Sequence, residues 1–177
     1  MKPAEEARFL GLMRQHRAIL YKVAYGYCRD RDERQDLVQE MTIQLWRAFP
    51  RFDGRVAFST WAFRVAMNTA ISHLRSEGRR GAVTVPLDET LAAELAQVEP
   101  WFEEEGDNLR VLRTLVDGMD ELNRALLLLY LDGHSAAEIA EIVGITAANV
   151  TTRMNRIKNR LQGDFARLAQ PEEKEWT

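Results

Sequence analysis

Hydroxyl, amide and guanidinium groups crowd residues 151–160. Thr151, Thr152, Asn155, Arg156 and Asn159 recur along one side of the segment, with Arg153, Lys158 and Arg160 flanking them. These are the donors and acceptors that major-groove base edges and phosphates require. Covalent chemistry has no comparable foothold. His16, His73 and His134 are isolated, and none stands beside cysteines or carboxylates at metal-ligand spacing. The chain has no phosphate-cradling glycine loop and no nucleophile elbow. We therefore expect no enzymatic activity, no cofactor, no metal and no small-molecule substrate.

The elements that must position these groups are legible in residues 135–161. Ser135 and Glu138 have capping-box spacing, in which hydroxyl and carboxylate satisfy the first free amides of a helix reciprocally. Ile139, Ala140, Ile142 and Val143 give that helix an apolar stripe. Gly144 can adopt the positive φ that stops it. Thr146 is placed to cap a second helix, on which Val150, Met154, Ile157 and Leu161 recur at helical spacing. The small Ala140 suits the close crossing of two helices. The pattern reads as a helix-turn-helix with a cationic recognition helix. A helical hairpin with a solvated basic face is the plainer alternative.

A second polar set lies in FSTWAFRVAMNTAISHLRSEGRR, from Phe58 onward. Arg64, Asn68, Ser72, Arg75 and Arg79 follow one another at steps of three or four, which lines them up on one helix face. Nearly everything else there is apolar, including Trp61, Phe63, Val65, Ala66, Met67 and Ala70. The preceding loop adds Arg51, Phe52 and Arg55, ending at Phe58. Cations interleaved with aromatics suit single-stranded nucleic acid, in which arginines follow phosphates and rings stack on bases. The same residues would also serve a core helix with a solvated edge, and the segment alone does not choose between the two.

Every long periodic stretch of the 177 residues reads as helix, and no alternating β-branched run suggests a sheet. Helical spacing over residues 5–28 includes Phe9, Met13, Leu20, Val23 and Tyr27. Asp30 or Asp32 can cap the next helix, with Leu37 or Val38, Met41, Leu45 and Phe49 as its buried stripe. Residues 50–56 read as a loop and a third helix as running from near Ser59 to about Ser76, before Gly78. Residues 81–106, with Pro86, Pro100 and Glu103 to Glu105, read as a connector holding a short helix around 90–97. Helix 108–118, a helix capped by Asp120 and ended by Gly133, and the hairpin follow. The expected fold is all-α, two small helical domains joined by an acidic linker.

Charge is distributed to match. The formal net charge is −3, yet residues 1–80 carry 15 Lys or Arg against 9 Asp or Glu, and residues 81–109 carry 8 acidic residues and no basic one. A lone cysteine, Cys28, excludes an intrachain disulfide and suits a buried small hydrophobe. No apolar run reaches membrane-spanning length, and the opening residues lack a signal-peptide profile. We expect no membrane insertion and a cytoplasmic protein.

DLVQEMTIQLWRAFPRF (36–52), FSTWAFRVAMNTAISHLR (58–75) and the hairpin at 135–161, in this order around an acidic connector, resemble the bacterial extracytoplasmic-function sigma factors of the sigma-70 family. The likeness covers roughly residues 8–165. It implies a promoter-specificity subunit whose partners are core RNA polymerase (its beta and beta-prime subunits) and promoter DNA, often with an anti-sigma factor. A sigma-2-like domain at 1–80 would bind polymerase and open the minus-ten element. A linker at 81–107 would join it to a sigma-4-like domain at 108–170 that reads the minus-thirty-five element. By the same resemblance Asp36, Leu37, Gln39, Glu40 and Gln44 form the polymerase-binding face. Arg51, Phe52, Arg55, Phe58, Arg64, Asn68 and Arg75 meet minus-ten DNA. Thr151, Thr152, Arg153, Asn155, Arg156, Lys158 and Arg160 meet minus-thirty-five DNA. A stand-alone helix-turn-helix regulator binding an operator as a dimer explains 135–161 but leaves residues 36–80 without a purpose.

The chain departs from the family pattern in four places. Arg34 and Gln35 interrupt the acidic run before Asp36, which bears on polymerase binding. Met67 stands where arginine is common, and Thr151 where a basic residue is frequent, which bears on DNA contacts. Met119-Asp120 replaces the usual Leu-Pro, and Asp120 is itself a good helix cap.

Overall fold

The computed structural model describes residues 3–76 and 114–168. Within them every regular element is helical and no strand is found. The arginine at 79, the connector and its short helix, and the start of the helix expected at 108 lie outside the described residues. The chain divides into two compact units, one holding residues 3–76 and the other most of the helical residues from 114 onward.

The first unit contains α1 (Pro3–His16), α2 (Ala18–Tyr27), α3 (Arg31–Ala48) and α4 (Phe58–Ser76). The periodicity of residues 5–28 thus yields two helices instead of one. The interruption is the single residue Arg17, which keeps helical φ and ψ of −54° and −32°. The Leu20 amide reaches the Arg17 carbonyl at 3.1 Å, a tighter i to i+3 step. Asp30, and not Asp32, caps α3: its carboxylate accepts from the Asp32 and Glu33 amides at 2.8 and 3.1 Å. Those two bonds hold the Asp30 carboxyl below its ordinary value.

The helices α2, α3 and α4 pack on one another. Ala62, Ala66 and Ala70, spaced four apart and all buried, remove side-chain bulk from one face of α4 and let its backbone approach its neighbours. Leu37, Met41 and Leu45 are completely buried on α3, and Val38 joins them, so the expected choice between Leu37 and Val38 resolves to both. Thr42, also inaccessible, satisfies its hydroxyl by donating to the Val38 carbonyl at 2.8 Å. Cys28 is buried, as expected of a small hydrophobe.

Residues 114–117 form a helical turn, followed by α5 (Glu121–Leu131), α6 (Ala136–Val143) and α7 (Ala147–Leu168). Leu126, Leu129, Ile139 and Val150 are its most deeply buried large residues. The Asp120 carboxylate accepts from the Asn123 amide at 2.9 Å, so the cap survives the loss of the usual Leu-Pro. Buried Arg124 donates to the Asp117 carbonyl at 3.0 Å and ties α5 to the preceding turn.

Candidate nucleic-acid interface

The second unit presents the helix-turn-helix residue by residue. The Ser135 amide donates to the Glu138 carboxylate at 2.8 Å, and the Glu138 amide returns a bond to the Ser135 hydroxyl at 3.3 Å. Gly144 ends α6 at φ +79°, and the Ala140 carbonyl accepts from the Gly144 and Ile145 amides at 2.9 and 3.2 Å. Thr146 Oγ1 accepts from the Asn149 amide at 3.2 Å, which starts α7 as its sequence position required. Val150, Met154 and Ile157 are buried and fix the rotation of α7. Consequently Thr151, Thr152, Asn155, Arg156 and Asn159 are exposed together, and Arg153 is half-buried at their margin.

Three of the expected contacts are already engaged. The Thr151 hydroxyl donates to the Ala147 carbonyl of its own helix at 3.0 Å, so its remaining capacity is as an acceptor. Lys158 Nζ lies 2.9 Å from Tyr130 Oη and 4.1 Å from the centre of that ring, which holds the ammonium by hydrogen bond and cation–π attraction. Arg160 Nε stands 3.6 Å from Asp164. Of Arg153, Arg156, Lys158 and Arg160, Arg156 is the one that is fully on the exposed face without such an engagement.

In the first unit the loop before α4 is built on rings. Phe49 lies in a short 3-10 turn (Phe49–Arg51). Its ring is stacked with Phe52 at 5.9 Å and edge-on to Phe9 and Phe58 at 5.1 and 6.3 Å. Phe52 also meets Trp61 at 5.0 Å. Gly54, at φ +75°, turns the loop, and Arg55 folds back onto Asp53 at 3.1 Å while both stay largely exposed. Arg51, Asn68 and Arg75 are exposed, and Arg64 and Phe52 are half-buried.

The structure corrects two expected contacts. Phe58 is 7% exposed because its ring fills the space between Phe49, Phe52 and Trp61. It shapes the floor of the loop and offers no face to a base. Leu37 has 0% exposure on the buried stripe of α3, so it supplies packing and not polymerase contact surface. Around it Asp36 and Gln39 are exposed and Glu40 and Gln44 half-buried, with Gln44 Nε2 donating to Glu40 Oε1 at 2.6 Å. Arg34, which interrupts the acidic run, lies over the Tyr25 ring at 4.8 Å.

Two residues of this site were not legible as members. Trp61 reads as one more apolar residue of α4, yet it is half-buried against Phe52. Its spacing of three and seven residues to Arg64 and Asn68 was the available signal. Arg8 sits far upstream in sequence, with nothing local to connect it to the loop, and lies 5.8 Å from the centres of both Phe49 and Phe52.

Residues 12–80 match the family model described as Sigma-70 region 2, and residues 109–161 match Sigma-70, region 4. The chain is 30% identical to an "ECF RNA polymerase sigma-E factor" of Haemophilus influenzae, over 75% of this chain and 76% of that protein. Against the Escherichia coli K12 protein of the same name it is 34% identical, covering 71% and 70%. The chain belongs to the extracytoplasmic-function group of sigma-70 family factors. Its fold is also that of two solved structures. One is the Bartonella quintana sigma factor RpoE in complex with the anti-sigma factor NepR, at TM-score 0.67 and 20% identity, covering 90% of this chain and 97% of that one. Another is CnrH in complex with the cytosolic domain of CnrY, at TM-score 0.65 and 20% identity, covering 93% and 91%.

Met67, singled out above as a departure from the family pattern, is buried and so offers packing there and no cation. Among the described residues no helix is long and apolar enough to cross a membrane, and no group of His, Cys, Asp or Glu could hold a metal.

Proposed function

We propose that this sigma factor directs core RNA polymerase to its promoters by dividing the work between its two units. Residues 1–80 engage the polymerase through Asp36, Gln39, Glu40 and Gln44 and open the minus-ten element. Residues 81–107 form the acidic linker, and residues 108–170 read the minus-thirty-five element through Thr151, Thr152, Asn155 and Arg156. The observation that carries the opening role is the Phe52–Trp61 pair at the start of the helix that exposes Asn68 and Arg75. Unstacking a base costs a few kcal/mol, and stacking it on an aromatic side chain returns about 1–3 kcal/mol. Arginine contacts to phosphate supply the rest, so the duplex is opened by binding energy alone. The work is non-enzymatic and belongs in the cytoplasm.

One solved neighbour is a sigma factor in complex with an anti-sigma factor, which supports an anti-sigma protein as a regulator here too. The reading is tested by run-off transcription with purified core polymerase. Discrete start sites should appear only when the chain is added, and the chain alone should shift promoter DNA weakly. Tight, polymerase-independent binding to a palindromic operator would instead identify a dimeric regulator.

A further inference from the structure

The aromatic loop has a cation that comes from outside the segment matched to the family's region 2, which begins at residue 12. Phe9 anchors α1 to this site: it is completely buried, edge-on to Trp46 at 5.2 Å and to Phe49 at 5.1 Å. Its neighbour Arg8 therefore has little freedom in where it emerges. Arg8 is exposed, and its guanidinium lies 5.8 Å from the centre of the Phe49 ring and 5.8 Å from that of Phe52. Arg8 Nη2 is also 4.0 Å from the point where a Cβ on Gly54 would stand, so the group reaches the turn of the loop itself.

We infer that Arg8 is a further DNA contact of the opening step, binding a backbone phosphate of the nucleotide that enters the Phe52–Trp61 loop. Cation–π attraction by two rings fixes the guanidinium where it is, and its N–H groups remain as donors for an anion. A phosphate is the anion that a single strand entering this loop must bring with it. Immobilising the arginine before DNA arrives lowers the entropy lost when the contact forms. Lysine would keep the charge and lose the planar fork.

The inference rests on the opening role proposed above, and the test separates the two. Holoenzyme assembled from core polymerase and the full chain is titrated with a promoter fragment premelted over the minus-ten element, at several salt concentrations. R8A should bind about tenfold more weakly, the cost of one charge-assisted contact. Its log affinity should fall less steeply with log salt, by about 0.7 for the one lost phosphate of a single strand. R8K should keep the salt slope while losing part of the affinity. Equal slopes for wild type, R8A and R8K would overturn the inference, including the case in which R8A merely lowers the unfolding temperature. If wild-type holoenzyme itself fails to bind the premelted fragment, the opening role is what fails.

Discussion

Arg156 and Arg160 stand one turn apart on α7 and are not equivalent. Arg160 is tied to Asp164 across a helical turn, an exposed pair worth about 0.3–0.5 kcal/mol, and can leave it for DNA at small cost. Arg156 starts from the exposed face itself. Arg156→Ala should weaken binding of holoenzyme to the minus-thirty-five element by about 1–3 kcal/mol and relax base preference at one position. Titration of a set of single-base promoter variants checks this, and uniform weakening across the set would make Arg156 a phosphate contact only. On α4, Asn68→Ala should slow promoter opening, followed by permanganate reactivity, while assembly with core polymerase is unchanged. Equal loss of both would mean that Asn68 supports the fold. Most of the polar residues named from the sequence are on the surface, because hydrophilicity and helical spacing fix that much. The burial of Phe58 was not legible, and periodicity offered Leu37 for the buried stripe while the resemblance offered it for contact, since the facing of an apolar residue beside a polar stripe depends on neighbours contributed by other helices.

At the scale of the element, the turn between α6 and α7 rests on local bonds that sequence spacing already specifies. Ser135→Ala should destabilise the fold by about 1 kcal/mol, read from denaturant unfolding of the full chain. Glu138 is held below its ordinary 4.5, first by the Ser135 hydroxyl and then by the Ser135 amide. A carboxylate lowered by folding contributes stability that is complete above its unfolded value and is lost as pH falls through the folded one. Unfolding followed by circular dichroism should therefore show a loss of stability below 4.5 that Glu138→Gln removes. An unchanged acid profile in that variant would discount the bond. Gly144→Ala tests the backbone alone, since nothing lies within 4 Å of an added Cβ and the φ of +79° is the obstacle. The expected cost is roughly 1–2 kcal/mol. Caps and stops of this kind were legible because they are written within four residues of one another. The interruption at Arg17 was not, for no glycine or proline marks it and apolar spacing continues on both sides.

For the whole molecule, a net charge of −3 is a poor guide to partners, because cations and carboxylates are segregated along the chain. The binding of holoenzyme to duplex promoter should weaken steeply with salt, by roughly 0.9 in log–log slope for each phosphate neutralised. A flat dependence in filter-binding measurements would contradict a phosphate-led mode of recognition. Two compact units were expected from the change in composition near residue 81, and two are found.

The half-buried indole of Trp61 is in ring contact with Phe52, which makes the molecule its own optical gauge. A nucleobase arriving there would compete for that π-face and quench the indole's emission. With Trp46, Trp101 and Trp176 changed to phenylalanine, the fading of the chain's one remaining tryptophan on mixing with single-stranded minus-ten DNA would time strand capture without any label on the DNA.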